Sequence, residues 1–279
     1  MTSCNHVKPS ESPRDNPLLA RTQAVLQNAL SSFEPERVAL SFSGAEDIVL
    51  IDIVHKLGLK VDVFSLDTGR LHEGTYQFLE TVRKHYRQQI ELVYRDPEGV
   101  QTLVKDKGLF SFYRDGHGEC CEVRKVAPLR RKLAGLDAWI TGQRQDQSVT
   151  RGSVPLREED TVFGSACAGS GHGALIKFNP LSEWSSADVW QYMREQQVPY
   201  NPLHDQGYVS IGCQPCTRSV GPFEHERAGR WWWEEATKKE CGLHRQNIIA
   251  AVQAQDQRCD QSGWRRRAAK VSESATRCC

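Results

Sequence analysis

The sequence lacks any long apolar run, and it carries almost no net charge. No stretch of its 279 residues is apolar for long enough to span a bilayer. The first 17 residues are polar and lack the apolar segment of a secretory signal. Lys and Arg number 36 against 35 Asp and Glu, and this balance of +1 favours neither nucleic acid nor an anionic membrane as a partner. We therefore expect a cytoplasmic protein that binds neither.

The chain also has no detectable internal repeat, and its length suits one α/β domain with extensions. Short buried strands are predicted at residues 38–42, 60–66 and 90–94, and a fourth ends at residues 139–141. Helices are predicted at residues 18–32, 48–57 and 72–86. Strands that alternate with helices indicate a parallel sheet flanked by helices, with the binding site along its carboxyl edge.

Four regions are predicted along the chain. They are a flexible polar arm at 1–17, an α/β domain at 18–222, a C-terminal segment at 223–253 and a disordered tail at 254–279. Within the α/β domain, residues 157–174 are rich in Gly and Ser and predict a loop. Ser185 and Asp188 form a variant capping box, with Asp in place of Glu, and predict the start of a further helix.

The loop from Ser41 to Asp47, with sequence SFSGAED, joins a predicted strand to a predicted helix. Its small residues allow backbone N–H groups to approach an anion, and the helix N-terminus adds a favourable dipole. It lacks the Lys-Ser/Thr pair of a Walker A loop. The segment from Leu66 to Arg70, LDTGR, ends the next strand at the same edge. On these residues alone, anion binding and an ordinary pair of turns both remain open.

Arginines at the predicted strand ends form a second group of candidates. Arg144 follows Gly142 at the end of the fourth strand, and Arg151 lies nearby. Arg227 and Arg230, at helical spacing from each other, lie just before a run of three tryptophans. A guanidinium group can hold phosphate or sulfate through two parallel hydrogen bonds. The alternative for each of them is a solvated surface arginine.

Ten cysteines are many for a chain expected in a reducing compartment. Four form two short clusters, Cys120-Cys121 and Cys213-Gln-Pro-Cys216, and such soft ligands suit a metal centre. Adjacent cysteines match the usual zinc spacings poorly, whereas an iron–sulfur cube can take them on different irons. Iron–sulfur and zinc centres both remain open, as do a disulfide pair and inert thiols. If the segment after Cys121 is helical, one turn brings the Lys125 ammonium near the cysteine sulfur.

Cys241 lies apart from these four, in the segment ECGLH. Lysines 238 and 239 lie just upstream, and cationic neighbours lower the pKa of a thiol and so favour the nucleophilic thiolate. The alternative for Cys241 is an inert cysteine. His244, three residues later, is a candidate for binding phosphate or polarising the site, and its alternative is a surface histidine. Three further cysteines match no motif: Cys259, Cys278 and Cys279. The terminal cysteines are interpreted as incidental, with a redox-active role as the alternative.

Seven segments of the chain together carry a resemblance to a known family. They are SFSGAEDIVL at 41–50, LDTGR at 66–70, ECCEVRKVAPL at 119–129, ITGQRQDQS at 140–148, IGCQPCTR at 211–218, GRWWWE at 229–234 and KECGLH at 239–244. In this order they resemble the assimilatory adenylyl-sulfate reductases of the sulfonucleotide (PAPS) reductase family, from about residue 20 to His244. The resemblance implies an α/β fold of the adenine-nucleotide alpha-hydrolase-like type, with a modified PP-loop and a mobile C-terminal segment.

The resemblance also implies roles for individual residues. Cys241 is the implied nucleophile, and Cys120, Cys121, Cys213 and Cys216 are the implied ligands of a [4Fe–4S] cluster. The implied substrate-binding residues are Ser41, Ser43, Gly44, Glu46, Asp47, Leu66, Thr68, Lys125, Gly142, Arg144, Arg151, Arg227, Arg230 and His244.

The implied reaction is the reduction of adenosine 5′-phosphosulfate (APS) to sulfite and AMP, through an S-sulfo-cysteine on Cys241. The implied electron donor is thioredoxin or glutaredoxin, and a homo-oligomer is compatible with the family. We expect this donor to be a separate protein, because few residues follow Cys241 and the spare cysteines form no C-x-x-C pair. The implied setting is sulfate assimilation and cysteine biosynthesis.

One departure from the family pattern is that Gln145 follows Arg144 where the family often has a second arginine, which removes one expected anion contact. The nearest alternative is the same chemistry on 3′-phosphoadenosine 5′-phosphosulfate (PAPS), although reductases restricted to PAPS typically lack the cysteine quartet. An ATP pyrophosphatase-type enzyme would be expected to carry an SGGKDS-like loop. A metal-binding module without catalysis is the third alternative.

Overall fold

A computed structural model describes residues 16–147, 154–164 and 174–235. The strands are β1 Val38–Ser41, β2 Asp62–Asp67, β3 Ile90–Tyr94, β4 Ala138–Ile140, β5 Arg157–Glu159 and β6 Ile176–Phe178. The helices are α1 Pro17–Ser31, α2 Ala45–Lys56, α3 Glu73–Tyr86, α4 Pro97–Lys107, α5 Ser111–Arg114, α6 Gly118–Cys121, α7 Ala127–Leu133, α8 Thr161–Gly164 and α9 Ser186–Gln196.

One six-stranded sheet, in the order β3-β2-β1-β4-β6-β5, forms the centre of the domain. All neighbouring strands run parallel except β5, which pairs antiparallel with β6 at the edge. The central strand β1 is buried on both faces, because Leu40 packs into one hydrophobic cluster and Ala39 into the other. A continuous apolar run is typical of such a strand. The predicted α/β architecture is confirmed.

Two helix starts follow from local hydrogen bonds. Helix α2 begins at Ala45, three residues before the predicted start, because the Asp47 carboxylate accepts the N–H groups of Ser43 and Gly44 and fixes the first turn. Helix α9 begins as the capping box predicted. The Ser185 hydroxyl accepts the Asp188 N–H at 3.2 Å, and the Asp188 carboxylate accepts the Ser185 N–H at 2.8 Å.

The prediction of a loop at residues 157–174 is wrong for its first half. The charged residues of β5 form an edge strand, whose pairing with β6 no local composition signal revealed. The Asp160 carboxylate then caps α8 by accepting the N–H groups of Val162 and Phe163, and Phe163 is buried in the core. Residues 165–173 lie outside the described part of the chain.

Residues 223–235 belong to the predicted C-terminal segment, and they pack against the α/β domain. The backbone N–H of Trp231 donates to the Cys216 carbonyl at 3.0 Å, and Thr217 forms a β-bridge with Arg230. The Glu234 carboxylate accepts the backbone N–H of His117 at 2.8 Å. The predicted arm and tail lie mostly outside the described residues, so the domain boundaries stay predictions. Within the described ranges, every helix is too short or too polar to cross a membrane.

A buried polar network joins three helices behind the sheet. The Asp52 carboxylate of α2 accepts the hydroxyl of Tyr192 from α9 at 2.6 Å and that of Tyr86 from α3 at 3.1 Å. The Lys56 ammonium lies 2.7 Å from the same carboxylate. Because an unpaired buried carboxylate is costly, each of these donors contributes to stability.

Replacement of Tyr192 by Phe is expected to lower the free energy of unfolding by about 1–3 kcal/mol, because the buried Asp52 carboxylate loses a donor. Urea unfolding measures the change. Tyr200→Phe is the matched control, since Tyr200 is 40% exposed and its hydroxyl bonds to Asp205 at the surface. Equal effects of the two substitutions would contradict the importance assigned to the network.

Candidate active site

A cleft of about 260 Å³ lies at the carboxyl edge of the sheet, where the loops after β1, β2 and β4 meet. Residues 209–212 also line it, as do Glu226, Arg227, Arg230 and Trp231. The loop 41–47 and Leu66, Thr68 and Gly142, which the sequence analysis proposed as substrate-binding residues, all lie in the wall of this cleft. A concave site of this size, with apolar walls and a few converging polar groups, suits a small organic molecule.

The Asp47 carboxylate ties the loop after β1 to the loop after β4. One oxygen accepts the N–H groups of Ser43 and Gly44 at 2.7 and 3.0 Å and the Ser43 hydroxyl at 3.0 Å. The other accepts the Gly142 N–H at 2.9 Å. These are backbone N–H groups of the kind that we predicted to approach an anion, and an internal carboxylate occupies them instead.

Burial raises the pKa of Asp47 to about 6, and the neighbouring charge of Glu46 adds to the rise. The hydrogen bonds from the Ser43 N–H, the Ser43 hydroxyl and the Gly142 N–H act in the opposite direction, because they stabilise the ionised form. Gly142 is required at its position, since a Cβ there would lie 2.6 Å from both an Asp47 oxygen and the Glu46 Cβ. The close approach of the two loops therefore depends on a glycine.

Arg144 was predicted to contact an anion, and the structure places it in a buried network of carboxylates. Its side chain is 1% exposed and lies 2.9 Å from Glu46 and 3.3 Å from Glu226, with Asp146 as a third partner. It does not line the cleft. Because the guanidinium is buried and paired, Arg144 holds the start of α2 against the segment that carries Glu226.

Three cationic side chains are among the described residues that line the cleft. They are Lys125, Arg227 and Arg230. Arg230 is fixed by a hydrogen bond to the Ile211 carbonyl at 3.1 Å and by the Trp231 ring, whose centroid lies 4.6 Å from its guanidinium carbon. A Cβ at Gly212 would lie 2.3 Å from the same guanidinium group. The wall is therefore shaped to present positive charge to the cleft.

The four predicted ligand cysteines line a second, smaller cavity. Cys120 and Cys121 come from α6, and Cys213 and Cys216 come from the loop after α9. All four are free thiols, so the disulfide alternative finds no support among them. Cys213 Sγ lies 3.2 Å from the Thr68 hydroxyl. The two sequence clusters thus meet at one place.

The two cavities share a wall. Lys125 and Trp231 line both of them, and the Lys125 ammonium lies 6.0 Å from the centroid of the Trp231 ring. The segment after Cys121 is helical, but residues Glu122–Val126 form a π turn. Such turns are rare and are frequent at functional sites. The turn carries Lys125 to the boundary between the thiols and the cleft.

The thiols are not equivalent. Burial raises the pKa of Cys213, but Lys125, the Thr68 hydroxyl and nearby arginines outweigh it, so the net pKa is lowered. Burial and the charge of Cys213 raise the pKa of Cys216 to about 12. Burial also raises the pKa of Cys120, against the opposing effect of Arg70 and Arg124. The sulfurs are therefore close enough to influence one another and their cationic neighbours.

Three residues of this cavity were not singled out from the sequence. Arg70 and Arg124 lie in its wall, and His117 stacks on Trp231 with ring centroids 4.1 Å apart. The His117 Nδ1 atom lies 2.7 Å from the Glu234 carboxylate. For Arg70 the sequence left anion binding and an ordinary turn both open, and its position after the LDTG segment is the only signal. The predicted residues Cys241, His244 and Arg151 lie outside the described residues.

A family model described as the phosphoadenosine phosphosulfate reductase domain matches residues 37–219, a range that includes both cysteine clusters and the sheet. An adenosine 5′-phosphosulfate reductase of Pseudomonas aeruginosa is 54% identical over 249 residues, which cover 87% of this chain and 91% of that protein. A chloroplastic 5′-adenylylsulfate reductase of Arabidopsis thaliana is 54% identical over 225 residues, 80% of this chain and 48% of that protein.

Among solved structures, a phosphoadenylyl-sulfate (PAPS) reductase from Candida auris in a phosphate complex superimposes with a TM-score of 0.56 at 28% identity. The match covers 71% of this chain and 90% of that one. The sequence and fold comparisons therefore agree on the same family of reductases.

The raised pKa of Asp47 has a consequence for stability. Because the folded-state pKa of about 6 exceeds the ordinary value of 3.8, the folded state binds the proton more tightly than the unfolded state. Relative to Asp47→Asn, the wild type should be most stable near pH 4 and should lose roughly 2 kcal/mol by pH 7. Urea unfolding across this range measures the difference.

Asp62→Asn is the control for this measurement, since Asp62 is exposed at the start of β2. A curve for Asp47→Asn that does not differ from the curve for Asp62→Asn would contradict the raised pKa of Asp47.

Proposed function

The chain belongs to the phosphoadenosine phosphosulfate reductase family, and we propose that it is an oxidoreductase that reduces adenosine 5′-phosphosulfate to sulfite and AMP. The observation that supports this most is the shared wall. A cleft that suits a nucleotide and a cavity lined by four free thiols meet at Lys125 and Trp231. The relatives at 54% identity bear the name of this activity.

The adenosine half of the substrate is assigned to the loops at the sheet edge, because these are neutral or acidic. Leu66 lies near the end of β2, Thr68 follows that strand, and Ser41 ends β1; all three line the cleft. The Asp47 carboxylate occupies the N–H groups of Ser43 and Gly44, which leaves the ribose and base as the groups this loop contacts. Glu46 orders the loop through Arg144.

The phosphosulfate half is assigned to the cationic wall. Lys125, Arg227 and Arg230 line the cleft there, and cations at a phosphoryl or sulfuryl group offset the charge that develops as the bridging bond breaks. Arg151 and His244 are proposed to complete this set from outside the described residues. Arg144 does not line the cleft. Its ion pair with Glu226 holds the segment that carries the next residue, Arg227.

The proposed nucleophile is the Cys241 thiolate. Its sulfur attacks the sulfur of the phosphosulfate, an S–S bond forms, and the bond to the bridging oxygen breaks, so AMP leaves with the electron pair. A thiolate of a dithiol partner, thioredoxin or glutaredoxin, then attacks the Cys241 sulfur and releases sulfite. The second thiol of the partner closes its own disulfide, which supplies the two electrons and returns the Cys241 thiol.

The thiol cavity fits the proposed [4Fe–4S] cluster in its chemistry. Cys120, Cys121, Cys213 and Cys216 are soft ligands that converge on one space, and cations surround it. Among the described residues, no three His, Cys, Asp or Glu side chains form a site for a single metal ion. When bound, the cluster would order the site and supply negative charge next to Lys125. The reaction needs no electron from it.

The second candidate substrate is PAPS, since the similar solved structure from Candida auris is a PAPS reductase. The higher identity to the APS reductases and the cysteine quartet favour APS. A comparison of kcat/KM for the two nucleotides distinguishes them. We further propose that the protein acts in the cytoplasm, in sulfate assimilation, and that it can form a homo-oligomer.

Substitution of Cys241 by Ser should abolish the covalent intermediate. Incubation of the wild type with APS and no dithiol partner is expected to add one sulfo group to Cys241, with release of AMP and no pyrophosphate. Intact-mass measurement and peptide mapping detect the adduct. Cys259→Ser is the control and should still form it. An adduct on the Cys241→Ser protein would rule out this nucleophile, and pyrophosphate release would indicate an ATP pyrophosphatase-type enzyme.

Anaerobic purification is expected to give a brown protein with roughly four irons and four sulfides per chain, as a cube requires. Iron and sulfide assays, with a visible absorbance spectrum, measure this. A Cys216→Ser variant should hold less iron. An active protein that is colourless and free of iron would overturn the cofactor assignment while leaving the reaction intact.

A further inference from the structure

Two arginines in the wall of the thiol cavity have no carboxylate partner within the described ranges. Arg124 is buried, and its Nη1 donates to the Thr68 carbonyl at 2.8 Å. Arg70 donates from Nη2 to the Leu109 carbonyl and lies over the Phe112 ring, 4.8 Å from its centroid. Both therefore reach the cavity through fixed contacts with neutral groups, and neither contact neutralises a charge.

Each guanidinium also has one buried N–H group without a hydrogen-bond partner. These are Nη1 of Arg70 and Nε of Arg124. The two charges also repel each other, and both act on the sulfur of Cys120. A buried cation is costly unless an anion compensates it. Among the described residues of the cavity wall, only the four thiols can become anionic. Lys125 is a third cation beside them.

On these observations, and resting on the cluster assigned under the proposed function, we propose that Arg70 and Arg124 form a cationic clamp that retains the [4Fe–4S] cluster. The unpartnered N–H groups donate to sulfur, and the two charges offset the negative charge of the thiolate-bound cluster. They are positioning residues, because nothing places them against the substrate cleft.

The positions of the two side chains are coupled to the ligands themselves. The Arg70 carbonyl accepts the N–H of Gln214 at 2.7 Å, between the two cysteines of the second cluster. Leu71 forms a β-bridge with Cys213. Thr68 accepts from Arg124 through its carbonyl, and its hydroxyl lies beside Cys213. One short segment, residues 68–71, thus holds both arginines and the second cysteine cluster in register.

The test uses the anaerobically purified holoenzyme and an iron chelator. Arg70→Gln and Arg124→Gln are each expected to lose iron roughly 10-fold faster or more than the wild type, because an outer contact to the ligand sulfurs is lost. Bleaching of the visible absorbance gives the rate. Arg70→Lys and Arg124→Lys keep the charge and should retain iron better than the Gln variants.

Arg114→Gln is the matched control. Arg114 lies on α5 near the same cavity but is 70% exposed and paired with Asp115, so its replacement should leave the rate unchanged. Thermal unfolding of each holoprotein accompanies the measurement. Iron loss at the wild-type rate in both Gln variants, or Lys variants as labile as the Gln variants, would overturn the clamp. Where a Gln variant does not fold, the Lys variant at that position and the other arginine carry the test.

The outcome separates this inference from the proposed function. A wild type that holds no iron would remove the cluster itself. A wild type that holds the full cluster, together with arginine variants that hold it equally well, would remove only the clamp. APS turnover by the wild type is measured separately and depends on neither result.

Discussion

The geometry of the cleft depends on one buried carboxylate. Asp47 binds the N–H groups of Ser43 and Gly44 after β1 and that of Gly142 after β4, so it joins the ends of two neighbouring strands. In a phosphate-binding loop such amides face the ligand, whereas here the protein supplies its own anion. The proposed site for the charge of a phosphosulfate is therefore the part of the cleft lined by Lys125, Arg227 and Arg230.

The sequence was sufficient for most of the fold, because its central strands are short apolar runs with clear helical patterns between them. β3 was predicted with its observed bounds, and the capping box of α9 was recognised from Ser185 and Asp188. β5 was missed, since three charged residues at a sheet edge are stabilised by pairing with β6 and by little in their own composition. Local patterns carry information on buried elements and much less on edges.

The site was less predictable, because its decisive contacts are distant in the chain. Arg144 follows a strand end, as an anion-binding arginine would, but its partners Glu46 and Glu226 are 98 and 82 residues away. The cysteine quartet was recognisable since each pair is local, and the structure brings the pairs together. Arg70 and Arg124 were not, because their importance comes from buried guanidinium nitrogens in the wall that the thiols share and from the lack of a carboxylate partner among the described residues. The accuracy of a site prediction from sequence is therefore limited by ion pairs and burial that depend on residues distant in the chain.

Trp231 and Lys125 line both the substrate cleft and the cavity of the four thiols, and this has a thermodynamic consequence for these two chambers. Occupancy of one chamber must alter the shape and potential of the surface offered to the other, so the free energies of filling them are not additive. By linkage, any change in nucleotide affinity on loading the proposed cluster would be matched by an equal change in the affinity for the cluster once nucleotide is bound. Without taking part in electron flow, the proposed cluster would in this way still tune how tightly the oxidised sulfur compound is held.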